Sequence, residues 1–238
     1  MKFIILTLSL ALLSCQQGSK AMEETATYPE VIIVGAMKNV MWKGELAGRI
    51  DLDTIADTKG LYGLGPQSFL TGELLLKDGV SYLSKVSSDS TMSVEKTYQV
   101  SAPFFVYAKV NEWQELELPA EIHTIPELEA FIDQQTTEAR RPFAFKLRGK
   151  VAEAVIHVQN LPAGSTVTSP EEAHQGQATY RLNDKQVEIV GFFSTQHKGI
   201  FTHHDSFLHM HLITQDETMM GHLDEVLMND MALFLPKS

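Results

Sequence analysis

Near the end of the chain, "HMHLITQDETMMGHLDEV" places His209, His211 and His222 within fourteen positions. Neutral imidazole is the commonest side-chain ligand for a divalent metal such as zinc. Side chains on a strand alternate between its two faces, so His209 and His211 point one way and Leu208, Met210 and Leu212 the other. Two imidazoles on one strand face can chelate one ion. "TQDETMMG" then returns the chain and can bring His222 alongside on the neighbouring strand. Three imidazoles around a tetrahedral ion leave one position open, which is the pattern of catalytic rather than structural zinc. Spacing alone equally suits ordinary surface or core histidines, and both readings stand at this level. His203 and His204 are adjacent and read as loop residues, while His123, His157, His174 and His197 carry no spacing signal and receive no role.

The elements that must position these residues are mostly strands. "EVIIVGAM" is a short β-branched run, and "GELLLKDGVSYLSKV" reads as a hairpin turning at Asp78-Gly79. "PFFVYAKVNEWQELELP" reads as strand, turn, strand, and "PFAFKLRGKVAEAVIHVQ" as a hairpin turning at Gly149. "NVMWKGELAGRIDLDTIAD" has mixed periodicity and fits a helix or short turns. One helix is clear: Thr124 can cap it, Pro126 sits in its first turn, and Leu128, Phe131 and Ile132 share a face. "NLPAGSTVTSPEEAHQGQ" is a polar loop, and "QVEIVGFFS", "SFLHMHLIT" and "GHLDEVLM" are strands. The pattern predicts a strand-rich α+β protein, a mixed β-sheet with few helices plus a smaller β-rich C-terminal part carrying the histidines. On this reading residues 29–160 form an N-terminal domain and 161–238 a C-terminal one.

The first residues are not fold. "MKFIILTLSLALLSC" is a charged start followed by an apolar run, shorter than the ~20 residues a bilayer-spanning helix needs. Residues 1–14 read as a signal peptide, and Leu12-Leu13-Ser14-Cys15 resembles the cleavage end of a bacterial lipoprotein signal. That resemblance implies a lipidated Cys15, a tether over 15–28, and a protein exported and lipid-anchored to the bacterial cell envelope, with no other membrane contact. Cys15 is the sole cysteine, which excludes disulfides, thiol nucleophiles and thiolate metal sites from the exported part. The net charge of -11 argues against nucleic acid, which is held through clustered Lys and Arg.

The histidine block also carries a family resemblance. "HMHLITQDETMMGH" resembles the signature of the α-acetolactate decarboxylases, a His-x-His strand, an acidic turn and a Gly-His. "GLGPQSFLTGELLLKDGVSY", "FAFKLRGKV" and "EIVGFF" resemble three further blocks of that family in the same order. The resemblance implies a Zn2+ ion on His209, His211 and His222, an acidic active-site residue at Glu73 and a substrate-contacting cation at Arg148. It further implies decarboxylation of 2-acetolactate, or a related 2-hydroxy-3-keto acid, to acetoin through a metal-stabilised enediolate, and a homodimer. Glu73 could then deliver the proton to the product.

Three departures accompany the match. Gly65-Pro66-Gln67 stands where the family has a Gly-Thr-Phe, so a hydroxyl is missing. No counterpart of the family's C-terminal glutamate follows His222, since Glu225 comes too soon. "GFFSTQHKGIFTHHDSF" differs from the family and is somewhat longer. The missing C-terminal glutamate and Pro66 favour the competing expectation, a non-catalytic exported lipoprotein that holds zinc or a small anion on the same histidines. An acidic side chain found near the histidines would favour the enzyme.

Overall fold

The computed structural model describes residues 27–88 and 90–237; the leader, Cys15 and nearly all of the tether lie outside them. Along the chain, β1 (Val31–Val34) leads into helix α1 (Met37–Lys43), β2 (Ile50–Asp51), β3 (Leu61–Pro66), β4 (Glu73–Lys77), β5 (Val80–Ser88), β6 (Thr91–Lys96), β7 (Ser101–Ala102), β8 (Phe105–Lys109) and β9 (Trp113–Glu117). Helix α2 (Ile125–Gln135) is followed by β10 (Phe143–Val158), the short α3 (Pro170–Ala173), β11 (Ala178–Phe193), β12 (Leu208–Thr214) and β13 (Met220–Pro236).

The strands make a six-stranded sheet in the order β1-β8-β3-β4-β5-β6, a five-stranded sheet in the order β10-β11-β12-β13-β9, and a small β2-β7 pair. The strand-rich α+β class holds, with one refinement: these strands pair antiparallel throughout where a mixed sheet was expected. Their neighbours along the sheet are mostly neighbours in sequence, and short returns can join only antiparallel strands. Asp78 and Gly79 both take positive φ, 47° and 75°, as a two-residue hairpin turn requires. In the second sheet β10 also pairs with β13, closing β10, β11, β12 and β13 into a ring.

Two sequence expectations change. The run through Gly149 is no hairpin: β10 runs unbroken through it, with a register shift against β13 between Lys150 and Val151. Gly149 is needed there because a Cβ would lie 1.9 Å from the Asp230 carbonyl oxygen. The strand, turn, strand read over β8 and β9 holds, the two strands belonging to different sheets. Residue 160 does not separate two sheets, since β9 and β10, both before it, supply two strands of the five-stranded sheet. β10 and β11 pair from Phe143↔Phe193 to Val158↔Ala178, straddling that point.

Helix α2 begins with a capping box, Thr124 with Glu127, and buries Leu128 and Ile132 against the five-stranded sheet. The two large sheets meet through a second cluster that contains Tyr62, Leu64, Leu75 and Val106 from one and Val190, Phe192 and Ile213 from the other. This sandwich positions the site, because the inner faces of both sheets converge on the histidine strands.

Candidate metal centre

Strand alternation aims each functional side chain. On β12, Leu208, Met210 and Leu212 pack into the core beneath α2, while Ile213 packs between the sheets. His209 and His211 share the face of Ile213. On β4, Leu74 and Leu76 enter a cluster on the outer side of the first sheet, so Glu73 and Leu75 look across at the second. Glu73 is 3 % exposed, and its Oε2 lies 3.6 Å from His211 Nε2.

His222 is the direct cross-strand partner of His211 on one side and of His157 on the other. A row of three imidazoles thus crosses β12, β13 and β10, with His209 next to it. Gly221 permits the close approach of β13 to β10, since a Cβ there would meet the His157 carbonyl oxygen at 2.4 Å. Ring centroids of His209, His211 and His222 are 4.9–5.5 Å apart. One nitrogen from each lies within 4.8 Å of the other two.

The electrostatics suit a metal. Burial pushes the His209 and His222 pKa values well down, and that of His211 to about 3, so all three rings are neutral with lone pairs available. His209 Nδ1 and both ring nitrogens of His211 are buried without a hydrogen bond of ordinary geometry. Each such orphan costs about 1–3 kcal/mol, a cost a divalent ion would offset by using the lone pairs. These residues fit a metal that favours nitrogen ligands. Burial also raises the Glu73 carboxyl well above the usual range, against the opposing hydrogen bond from the Gln159 backbone N–H.

The cluster opens into a cavity of about 350 Å³. Met37, Met41, Trp42, Leu70 and Phe104 give it apolar walls, and Pro66, the cross-strand partner of Glu73, lines it too. Lys38, exposed, is the only Lys or Arg on its wall among the described residues.

Arg148 is not part of this arrangement. It lies on β10 opposite Glu188 and Ala232, its side chain 61 % exposed, 3.7 Å from the Glu188 carboxylate and over the Phe234 ring. The residues that sequence reasoning passed over are His157, His203 and Asp224. His157 donates from Nδ1 to both Asp224 oxygens, at 2.8 and 2.9 Å, and stacks on His222 at 4.6 Å. His203, from the loop between β11 and β12, brings Nε2 to 3.1 Å from His222 Nε2. No spacing signal marks these residues; they become visible only through strand register and loop placement.

Fold and site together define a strand-rich protein with a buried histidine centre at the junction of two antiparallel sheets. The model of the alpha-acetolactate decarboxylase family matches residues 34–236, and the chain belongs to that family. Alpha-acetolactate decarboxylase from Bacillus subtilis strain 168 is similar in structure, with a TM-score of 0.71 and 22 % identity over 87 % of this chain and 86 % of that one. The acetolactate decarboxylase of Bacillus subtilis subspecies spizizenii gives 0.72 and 22 %, over 87 % and 86 %. A Staphylococcus aureus protein of unknown function similar to alpha-acetolactate decarboxylase gives 0.71 and 16 %, over 87 % and 85 %. A comparison with curated protein sequences found no significant match.

Proposed function

We propose that the protein decarboxylates 2-acetolactate, or a related 2-hydroxy-3-keto acid, to acetoin with zinc as its metal. The observation that carries this reading is Glu73, a carboxyl buried 3.6 Å from the ring of His211 and opening on the same cavity, where burial favours its protonated form. His209, His211 and His222 would hold the ion, and when bound it would polarise substrate oxygens and offset negative charge as carbon dioxide leaves.

The chain's own residues do the rest. In the reaction the C–C bond to the carboxylate breaks, its electron pair moves toward the adjacent keto oxygen, and one proton must return to carbon. Burial favours the form of Glu73 that can donate that proton, and its low-dielectric setting strengthens the interaction. The apolar wall of Met37, Met41 and Phe104 excludes water from the reacting carbons. Lys38 at the rim can balance the substrate carboxylate, the part that the resemblance gave to Arg148. Asp224, 4.0 Å from His222, supplies a second acidic group near the histidines and favours the enzyme over a purely binding role.

The test is direct: the purified, zinc-loaded protein is given racemic acetolactate, and acetoin and carbon dioxide are measured. Formation of both is expected; failure to form either sinks the activity. We also propose lipid anchoring through Cys15 at the cell envelope. The Cys15→Ala protein would then leave the membrane fraction, and equal retention of both forms would refute the anchor.

A further inference from the structure

His203 sits apart from the three histidines in sequence, on the segment between β11 and β12. That segment is fixed at several points. The Ser194 hydroxyl and His197 Nδ1 are 2.7 Å apart, Met37 N–H donates to the Ile200 carbonyl, and the Gly199 N–H donates to that of Thr202. Phe201 is buried between the sheets and Thr202 is fully buried. The anchors deliver His203 to the cavity wall, where its ring lies 4.9 Å from that of His222 and edge-on to His209 at 6.2 Å.

The contact between His203 Nε2 and His222 Nε2, at 3.1 Å, decides the matter. Each ring nitrogen has one in-plane orbital, which holds either a proton or a lone pair. If His222 accepts a proton from His203 at Nε2, that lone pair is unavailable to a metal. Loading the site through this nitrogen therefore breaks the contact, and His203 must then either leave or ligate. Zinc–nitrogen bonds of about 2.0–2.1 Å at tetrahedral angles put ligand nitrogens about 3.3–3.4 Å apart. The observed spacing to His222 is already close to that edge. The nitrogens that all lie within 4.8 Å of one another, however, are those of His209, His211 and His222, so the His203 ring must turn further in to ligate.

We propose that His203 is a fourth, displaceable imidazole ligand, which closes the metal in the resting protein and yields its position to an incoming oxygen ligand. This rests on the metal reading of His209, His211 and His222 but not on any particular substrate. It makes the β11–β12 segment the regulator of access: a substrate must displace one imidazole before it can bind.

The test is cobalt(II) loading of the purified protein, read by visible absorption, by titration and by the hyperfine-shifted exchangeable ring N–H signals in the proton NMR spectrum. The unaltered protein should give four such signals and an intense tetrahedral spectrum. His203→Ala should give three signals, a weaker and shifted spectrum, and affinity lower by about ten-fold or more, with circular dichroism unchanged. His204→Ala, at the neighbouring position, should keep all four. Three signals in the unaltered protein, or an unchanged spectrum and affinity in His203→Ala, would overturn the fourth ligand while leaving the three-histidine site intact. Failure of the unaltered protein to bind cobalt at all would overturn the metal site and His203's part in it together.

Discussion

Glu73 and His211 come from opposite sheets, yet their side chains meet at 3.6 Å in a setting where neither is exposed beyond 3 %. The pairing joins a carboxyl raised by burial to an imidazole lowered by burial, so burial favours the neutral form of both. Glu73→Gln keeps the shape and removes only the transferable proton. It should retain metal and fold while lowering turnover by about 10²–10⁴-fold, as loss of a general acid does. Metal content measured beside acetoin formation checks this, and a variant as fast as the parent would remove Glu73 from the chemistry.

Gly221 precedes His222 for a steric reason. A methyl group there would meet the His157 carbonyl oxygen at 2.4 Å and the Ile156 Cβ at 3.4 Å, driving β13 away from β10 beside the ligand. Gly221→Ala should cost about 1–3 kcal/mol of stability by overpacking. Because His222 rides on the displaced strand, zinc affinity should fall by about ten-fold or more. Denaturant titration and competition with a chelating dye measure the two effects. Loss of stability with unchanged affinity would show that the strand spacing does not position His222.

Much of the site was legible in the sequence because strand alternation is a local rule. His209 and His211 share a face, and a short return pairs β12 with β13 so that His211 opposes His222. Glu73 was placed only through resemblance, and its partner in space follows from packing two sheets. His157 was invisible because its meaning depends on register: β10 must run unbroken through Gly149 and then pair with β13 to bring His157 beside His222. The hairpin expected at Gly149 failed for the same cause, since glycine marks both turns and places where another backbone passes close. His203 depends on the path of an irregular segment, which carries no periodicity to read.

On the proposed function, Lys38 rather than Arg148 is the basic residue placed to meet the substrate. Lys38 lines the cavity from the first turn of α1, whereas Arg148 is 61 % exposed and engaged with Glu188. Lys38→Ala should raise KM by about two- to five-fold with kcat nearly unchanged, the size of a solvent-screened ion contact. Arg148→Ala should leave KM, kcat and metal content within about two-fold. Steady-state kinetics on both variants decides, and the opposite ranking would return the role to Arg148.

The pH dependence of the metal-free protein follows from the buried histidines. The His211 pKa is lowered from 6.5 to about 3, so between those values the unfolded chain binds a proton that the folded chain does not. Stability contributed by the neutral ring is therefore complete above about pH 6.5 and lost progressively as pH falls toward 3. His209 and His222, also lowered, add in the same direction. Replacing His211 with Gln removes one titrating group. Between pH 6 and pH 5 the stability of His211→Gln should therefore decline less steeply than that of the unaltered protein, by about 1 kcal/mol per pH unit. Urea unfolding of the two metal-free proteins across that interval measures the difference in slope. Parallel slopes would mean that the His211 ring carries its proton in the folded state, and would contradict the neutral, ligand-ready site on which the metal reading depends.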